Sequence, residues 1–216
     1  MVGKIIHISD IHIFFSKRHH EHKELIANLA NTLKEEKPSI IYFGGDIVDS
    51  KSKLSAEQIE IVKSLFYSCA SIAPVIYILG NHDINLQNKG LDSLSPIIDN
   101  LQTEHPIYFL KDTGIYTLYD IDWAVWSVLD NKNPFKELNY NKQRYTIGCF
   151  HGPVEGCKTD SGWKKFNHTL PLDTFDQCDI VLLGDIHKES VFKREEELEI
   201  EEEELEEYLK KGWKKV

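Results

Sequence analysis

The stretch Ser39-Ile40-Ile41-Tyr42-Phe43-Gly44-Gly45-Asp46-Ile47-Val48-Asp49 decides the fold. Its first half is a run of β-branched and aromatic residues, the pattern of a buried strand. Its second half is a glycine pair followed by two carboxylates. Working outward, Lys4–Ser9 and Val75–Leu79 read as two more buried strands. Between them, His20–Glu36 is rich in helix formers, with Leu25, Ile26, Leu29, Ala30 and Leu33 at helical spacing. Ser55–Ser71 repeats the pattern through Ile59, Val62, Leu65 and Phe66, and Ser55 with Gln58 suits a capping box. Strand–helix–strand–helix–strand at this spacing predicts a parallel α/β sheet with right-handed crossovers.

After Pro106 the pattern changes. Ile107–Leu110, Ile115–Tyr119, Trp123–Val128, Tyr145–Phe150 and Asp179–Leu183 read as strands with little helix between them, while Lys132–Asn141 and Gly152–His168 are polar and loop-like. Two layers of sheet flanked by helices accommodate this order. Residues 195–216 are low in complexity, and Glu201–Lys211 reads as a helix with Glu early and Lys late, as the helix dipole favours. The expected division is a body over 1–194 and an acidic tail over 195–216. That tail reads as a solvated helix, or as a docking helix using Leu198, Leu205, Leu209 and Trp213.

The 216 residues carry a net charge of −10, with 41% hydrophobic and 28% charged side chains, so the chain is globular and not disordered. The tail alone holds ten Glu against four Lys. Neither part is the basic body of a protein that holds nucleic acid by phosphate neutralisation alone. No apolar run approaches the ~18 residues of a membrane span, and the start leads directly into a strand, so neither a span nor a signal peptide is expected. The four cysteines, Cys69, Cys149, Cys157 and Cys178, form no C-x-x-C pair. That excludes a zinc ribbon and favours a reducing cytosolic or nuclear compartment.

Polar clusters follow the predicted strands. They are Asp10-Ile11-His12, then Gly44-Gly45-Asp46-Ile47-Val48-Asp49, then Gly80-Asn81-His82-Asp83, then His151-Gly152-Pro153, and last Gly184-Asp185-Ile186-His187. In open α/β sheets, sites form beyond the carboxyl ends of the strands, so these clusters converge on one cleft. Carboxylates, imidazoles and an amide together make a ligand set for more than one divalent cation.

In their order and spacing the five clusters resemble the calcineurin-like metallophosphoesterases, over roughly residues 4–188. The resemblance implies a four-layer αββα sandwich with two mixed sheets, carrying a two-metal site. By that resemblance Asp10, His12 and His187 hold the first metal, Asp46 bridges, and Asn81 and His151 hold the second. Asp185 stands where the family has a histidine. As a ligand it would make the site richer in oxygen, favouring Mn²⁺, with Mg²⁺, Zn²⁺ or Fe²⁺ as alternatives. His82 is the expected non-ligand, facing the scissile phosphate, with Asp83 orienting its ring and Asp49 bonded to a ligand histidine or to His82. Two such metals activate water and clamp phosphoryl oxygens, so the implied chemistry is phosphoester hydrolysis.

Within that superfamily the chain is most similar to the SbcD-type DNA repair exonucleases, whose eukaryotic members act in meiotic recombination. The carrying residues are Ile8-Ser9-Asp10-Ile11-His12 with a later Arg18, Lys111-Asp112-Thr113-Gly114-Ile115-Tyr116, and His151-Gly152-Pro153-Val154. The resemblance implies DNA as substrate, an ATPase subunit as partner and no membrane, and leaves room for a homodimer. Arg18 and His19, with His20, His22 and Lys23, form a cationic cluster suited to phosphate contact at the cleft rim. Tyr140, Tyr145, Trp163 and Phe166 are available for base stacking or for packing. Two other readings stay open: a phosphodiesterase or phosphatase for a small molecule or phosphoprotein, and a non-catalytic scaffold on the same fold.

Overall fold

The computed structural model describes residues 2–49, 53–85, 91–130, 135–157 and 169–187. The tail 195–216, its expected helix, and Trp163 and Phe166 lie outside the described residues. Strands β1 (Ile5–Ile8), β2 (Ile40–Phe43), β3 (Val75–Tyr77) and β4 (Ile107–Phe109) form one sheet in that order, every pair parallel. The connections are α1 (His19–Glu36), α2 (Ala56–Ala70) and the single turn α3 (Ser95–Ile98). Strands β5 (Gly114–Leu118), β6 (Ile121–Trp126), β7 (Tyr145–His151) and β8 (Ile180–Gly184) form the second sheet, antiparallel at β5–β6 and parallel beyond. The two-sheet sandwich is the expected architecture, but only the second sheet is mixed; the first, also expected to be mixed, is parallel throughout its described strands.

Alternation along the strands sorts the core into layers. Ile41, Phe43, Val75 and Tyr77 point to one face of the first sheet and pack with Ile26 and Leu33 of α1 and with Ile61, Val62, Leu65 and Phe66 of α2. Ile40, Tyr42 and Ile76 point the other way and meet Trp123, Val125, Ile147 and Cys149 of the second sheet. Tyr42 and Trp123 stack with centroids 5.7 Å apart. The outer face of the second sheet, including Ala124, is covered by Phe135, Val154, Cys157, Phe175 and Cys178. There the described residues supply two 3₁₀ turns, Phe135–Glu137 and Leu172–Phe175.

Two local features depart from expectation. Ser55 caps α2 by accepting from Gln58 N at 3.1 Å, but the Gln58 side chain does not reach back. It is fully buried and donates to Ile13 O at 2.6 Å, tying α2 to the segment after β1. The apolar stripe of α1 is also narrower than its periodicity suggests. Ile26 and Leu33 are buried, whereas Leu25 is 48% exposed.

Candidate metal centre

The first sheet does not stop pairing where its strands end. Asp10 N donates to Gly45 O (3.1 Å), His12 N to Asp46 O (3.0 Å), Ile13 N to Ile47 O (2.9 Å) and Asp49 N to Ile13 O (3.1 Å). The two chains stay zipped while turning, because Asp10, His12 and Asp46 adopt left-handed backbone with φ of 58°, 49° and 54°. Such conformations cost free energy and persist only where the surroundings over-determine them. Gly45, with φ 97°, takes the position no side chain could: a Cβ there would meet the His151 ring and the backbone of Gly80. A Cβ on Gly80 would collide with the Asp46 carboxylate.

Asp83 holds these loops together. It is fully buried, and its carboxylate accepts from Asp46 N (2.8 Å), Gly80 N (2.9 Å) and Val48 N (3.1 Å). Burial pushes its carboxyl up to about 7, against the pull of the Gly80 and Val48 amides towards the charged form. The expectation that Asp83 orients His82 is therefore corrected: its oxygens are spent on backbone amides. His82 is oriented by Asp49, through the backbone carbonyl rather than the carboxylate, at 2.8 Å from Nδ1. A carbonyl only accepts, so Nδ1 carries the proton and Nε2 is left for other use. The Asp49 carboxylate lies 3.8 Å from His12 Nδ1.

The histidines converge on Asp46. Its Oδ1 accepts from His82 N at 2.8 Å, while its Oδ2 lies 3.2 Å from His151 Nε2 and 3.7 Å from His12 Nε2. His151 Nδ1 donates to Gly44 O at 2.7 Å, which directs Nε2 into the cluster. Burial alone would lower the His151 imidazole; the adjoining Asp46 carboxylate outweighs it and raises the ring to about 9. His12 shifts down, burial prevailing over its carboxylate neighbours. Asp10 is fixed by Asp185 N, which donates to both of its oxygens at 3.1 and 3.2 Å.

Three donor groups have their ligand atoms within 4.8 Å of one another: Asp10, His12 and His187; Asp10, Asp46 and His151; and His12, Asp46 and His82. His82, expected to face the phosphate, thus stands beside the ligands, with its ring centroid 4.9 Å from that of His12. Asp185 belongs to none of the three. Its Oδ1 is 3.9 Å from His151 Nε2, and burial raises its carboxyl. Several buried polar atoms here have no hydrogen-bond partner: both nitrogens of His12, Nε2 of His151 and Oδ1 of Asn81. Each such orphan costs about 1–3 kcal/mol unless a ligand satisfies it, and His12 and His151 both belong to the donor groups, where a cation would do so. The residues therefore fit divalent metal, through the groups Asp10, His12 and His187; Asp10, Asp46 and His151; and His12, Asp46 and His82.

Four members of the cationic cluster after the first motif have contacts of their own. Arg18 pairs with Glu21 at 2.8 Å from Nε, and His20 faces Glu24 at 3.4 Å. His19 Nε2 lies 2.8 Å from Phe14 O, and the buried His22 accepts from Phe14 N at 3.4 Å. Tyr140 packs edge-on against Phe135, while Tyr145 is exposed at the start of β7, at the end of that strand opposite His151. The sequence did not single out the backbone of Gly44 and Gly45, or the steric role of Gly80. The glycine doublet before Asp46 was the available signal.

Two sheets carrying an oxygen- and imidazole-rich donor cluster where parallel strands end define a metallohydrolase-type architecture. Residues 3–189 match the Calcineurin-like phosphoesterase family, and the chain belongs to it. It is 40% identical over 196 residues to Uncharacterized protein R555 of Acanthamoeba polyphaga mimivirus, a match spanning 85% of this chain and 14% of the viral protein. Among solved structures, the nuclease MPE of Pseudomonas putida aligns with a TM-score of 0.38 at 15% identity, over 67% of this chain and 59% of that one. No helix among the described residues is long and apolar enough to cross a membrane.

Proposed function

We propose that the chain is a two-metal phosphodiesterase that cleaves DNA, of the SbcD type, acting in repair or recombination. The observation that carries the hydrolase reading is the set of orphaned buried nitrogens on His12 and His151, in donor groups with Asp10 and Asp46. Two bound divalent ions would activate water and neutralise charge on the phosphoryl oxygens. The rest falls to the chain's own residues. Asp46, between two imidazoles, is suited to bridging. Gly44 O fixes the tautomer of His151, and Asp49 O fixes that of His82. With its Nδ1 proton committed, His82 offers Nε2 as the atom that holds a proton for the leaving oxygen. Asp83 holds the loops that carry Asp46 and Gly80 in register.

The DNA reading, and an ATPase subunit as partner, rest on the residues shared with the SbcD-type nucleases. Manganese as the native metal rests on the oxygen-rich donor set, with Asp185 in place of a histidine. Cys69, Cys149, Cys157 and Cys178, all buried and none in a disulfide, support a reducing cytosolic or nuclear compartment. The test is hydrolysis of a chromogenic phosphodiester, a phosphomonoester and linear single- and double-stranded DNA after chelation and add-back of Mn²⁺, Mg²⁺ or Zn²⁺. Turnover of DNA and the diester that vanishes in chelator and returns best with Mn²⁺ is expected. Full activity in excess chelator would overturn the two-metal reading. Turnover of the monoester alone would overturn the nuclease reading.

A further inference from the structure

We propose that a groove along α1, opening beside His12, is a nucleoside subsite that selects what is esterified to the scissile phosphate. This rests on the phosphodiesterase reading above and names the group next to the phosphate. The groove has a volume of about 720 Å³ and reaches from Ile11, His12 and Phe14 along α1 to Thr32. That size falls within the ~300–1,000 Å³ usual for small-molecule sites. His12 is the one described residue that both lines the groove and belongs to the donor cluster.

The chemistry of the lining says what fits. Ile11, Phe14, Leu25 and Leu29 make an apolar floor, in which Leu25 is 48% exposed. Asn28 offers both an acceptor and a donor one turn along α1, the pairing a base edge requires. Glu21 and Glu24 stand at the rim, and the nearby cation Arg18 is already bound to Glu21. A second phosphate would meet carboxylates here, so the anionic part of a substrate stays at the metal centre. An uncharged, flat, hydrogen-bonding group enters the groove. A nucleoside has that chemistry, and a phosphate-backbone track does not.

The experiment compares thymidine 5′-(p-nitrophenyl phosphate) with methyl p-nitrophenyl phosphate, which present the same leaving group with and without a nucleoside. The wild-type protein should prefer the thymidyl ester in kcat/KM. Leu25→Glu and Asn28→Asp should each lower the thymidyl-to-methyl ratio by about tenfold, the scale of one lost pocket contact, mainly through KM. Leu25→Met should restore the ratio. A ratio unchanged in Leu25→Glu and Asn28→Asp overturns the subsite. If neither ester turns over with any divalent metal, the hydrolase reading fails on its own. Calorimetric binding of thymidine 5′-monophosphate then decides the groove: binding weakened by Leu25→Glu supports it, and equal or absent binding in both proteins overturns it.

Discussion

The two halves of the candidate centre are built differently. The half from the first sheet, with Asp10, His12, Asp46, Asn81 and His82, sits on loops that keep pairing past their strands and are clipped by Asp83. The half from the second sheet has one anchored candidate ligand, His151, held by Gly44 O. Its other two, Asp185 and His187, follow β8, which is an edge strand among the described residues, and their side chains are 28% and 56% exposed. The first half is pre-formed by backbone hydrogen bonds. The second half leans on the first, since Asp185 N is bonded to Asp10. Metal should accordingly organise the Asp185–His187 side more than the Asp46 side.

The largest effect expected within the pre-formed half is on rate. His82→Ala should lower turnover by about 10²–10⁴, the range for loss of a general acid, with both metals still bound. Metal content per chain measured beside kcat decides it: collapse of metal occupancy would make His82 a ligand or a brace. Next comes stability. Asp83→Ala strands three buried amides, on the order of 3 kcal/mol or more in urea unfolding. Asp83→Asn should lose less, because its amide oxygen still accepts from one or two of them. An alanine variant as stable as the wild type would mean that the loops do not depend on the clip, and the contrast between the halves would fall.

How much of this could be read from the sequence follows the same division. Strands β1, β2 and β3 and helices α1 and α2 stand within about two residues of their expected bounds, because β-branched runs and 3.6-residue periodicity each speak locally. The turn α3, at four residues, is too short to show a period, and the two 3₁₀ turns likewise left no pattern. The ligand types were legible because glycine-flanked acidic and imidazole clusters follow apolar runs. The role of Asp83 was not, since its partners Asp46 and Val48 lie 37 and 35 residues away and offer only backbone amides. A carboxylate beside a histidine in sequence suggested a side-chain pair, and the turn directed the two apart. The Arg18 cluster shows the opposite case. Its basic residues were visible, and the structure adds that Glu21 pairs with Arg18 and Glu24 faces His20 one helical turn on.

The smallest and most selective effect belongs to Asp185, where the halves meet. If its carboxylate completes the second metal, Asp185→Ala should weaken that metal by roughly 10–100-fold, the scale known for lost support of a metal site. The first metal, held by Asp10, His12, Asp46 and His187, should stay filled, because the substitution keeps the amide that fixes Asp10. Backbone strain could imitate this result, since residue 185 has φ 81°, a conformation alanine tolerates less well than aspartate. Asp185→Asn separates the two causes: asparagine accepts the left-handed backbone but removes the charge. Asp185→His should shift preference from Mn²⁺ towards Zn²⁺ or Co²⁺, as imidazole replaces oxygen. Metal counting by titration, read beside unfolding, distinguishes the outcomes. Two tightly held metals in both the alanine and asparagine variants would make Asp185 a turn residue whose amide matters and whose carboxylate does not. Loss of the second metal in both, with stability lowered only in the alanine variant, would establish it as a ligand.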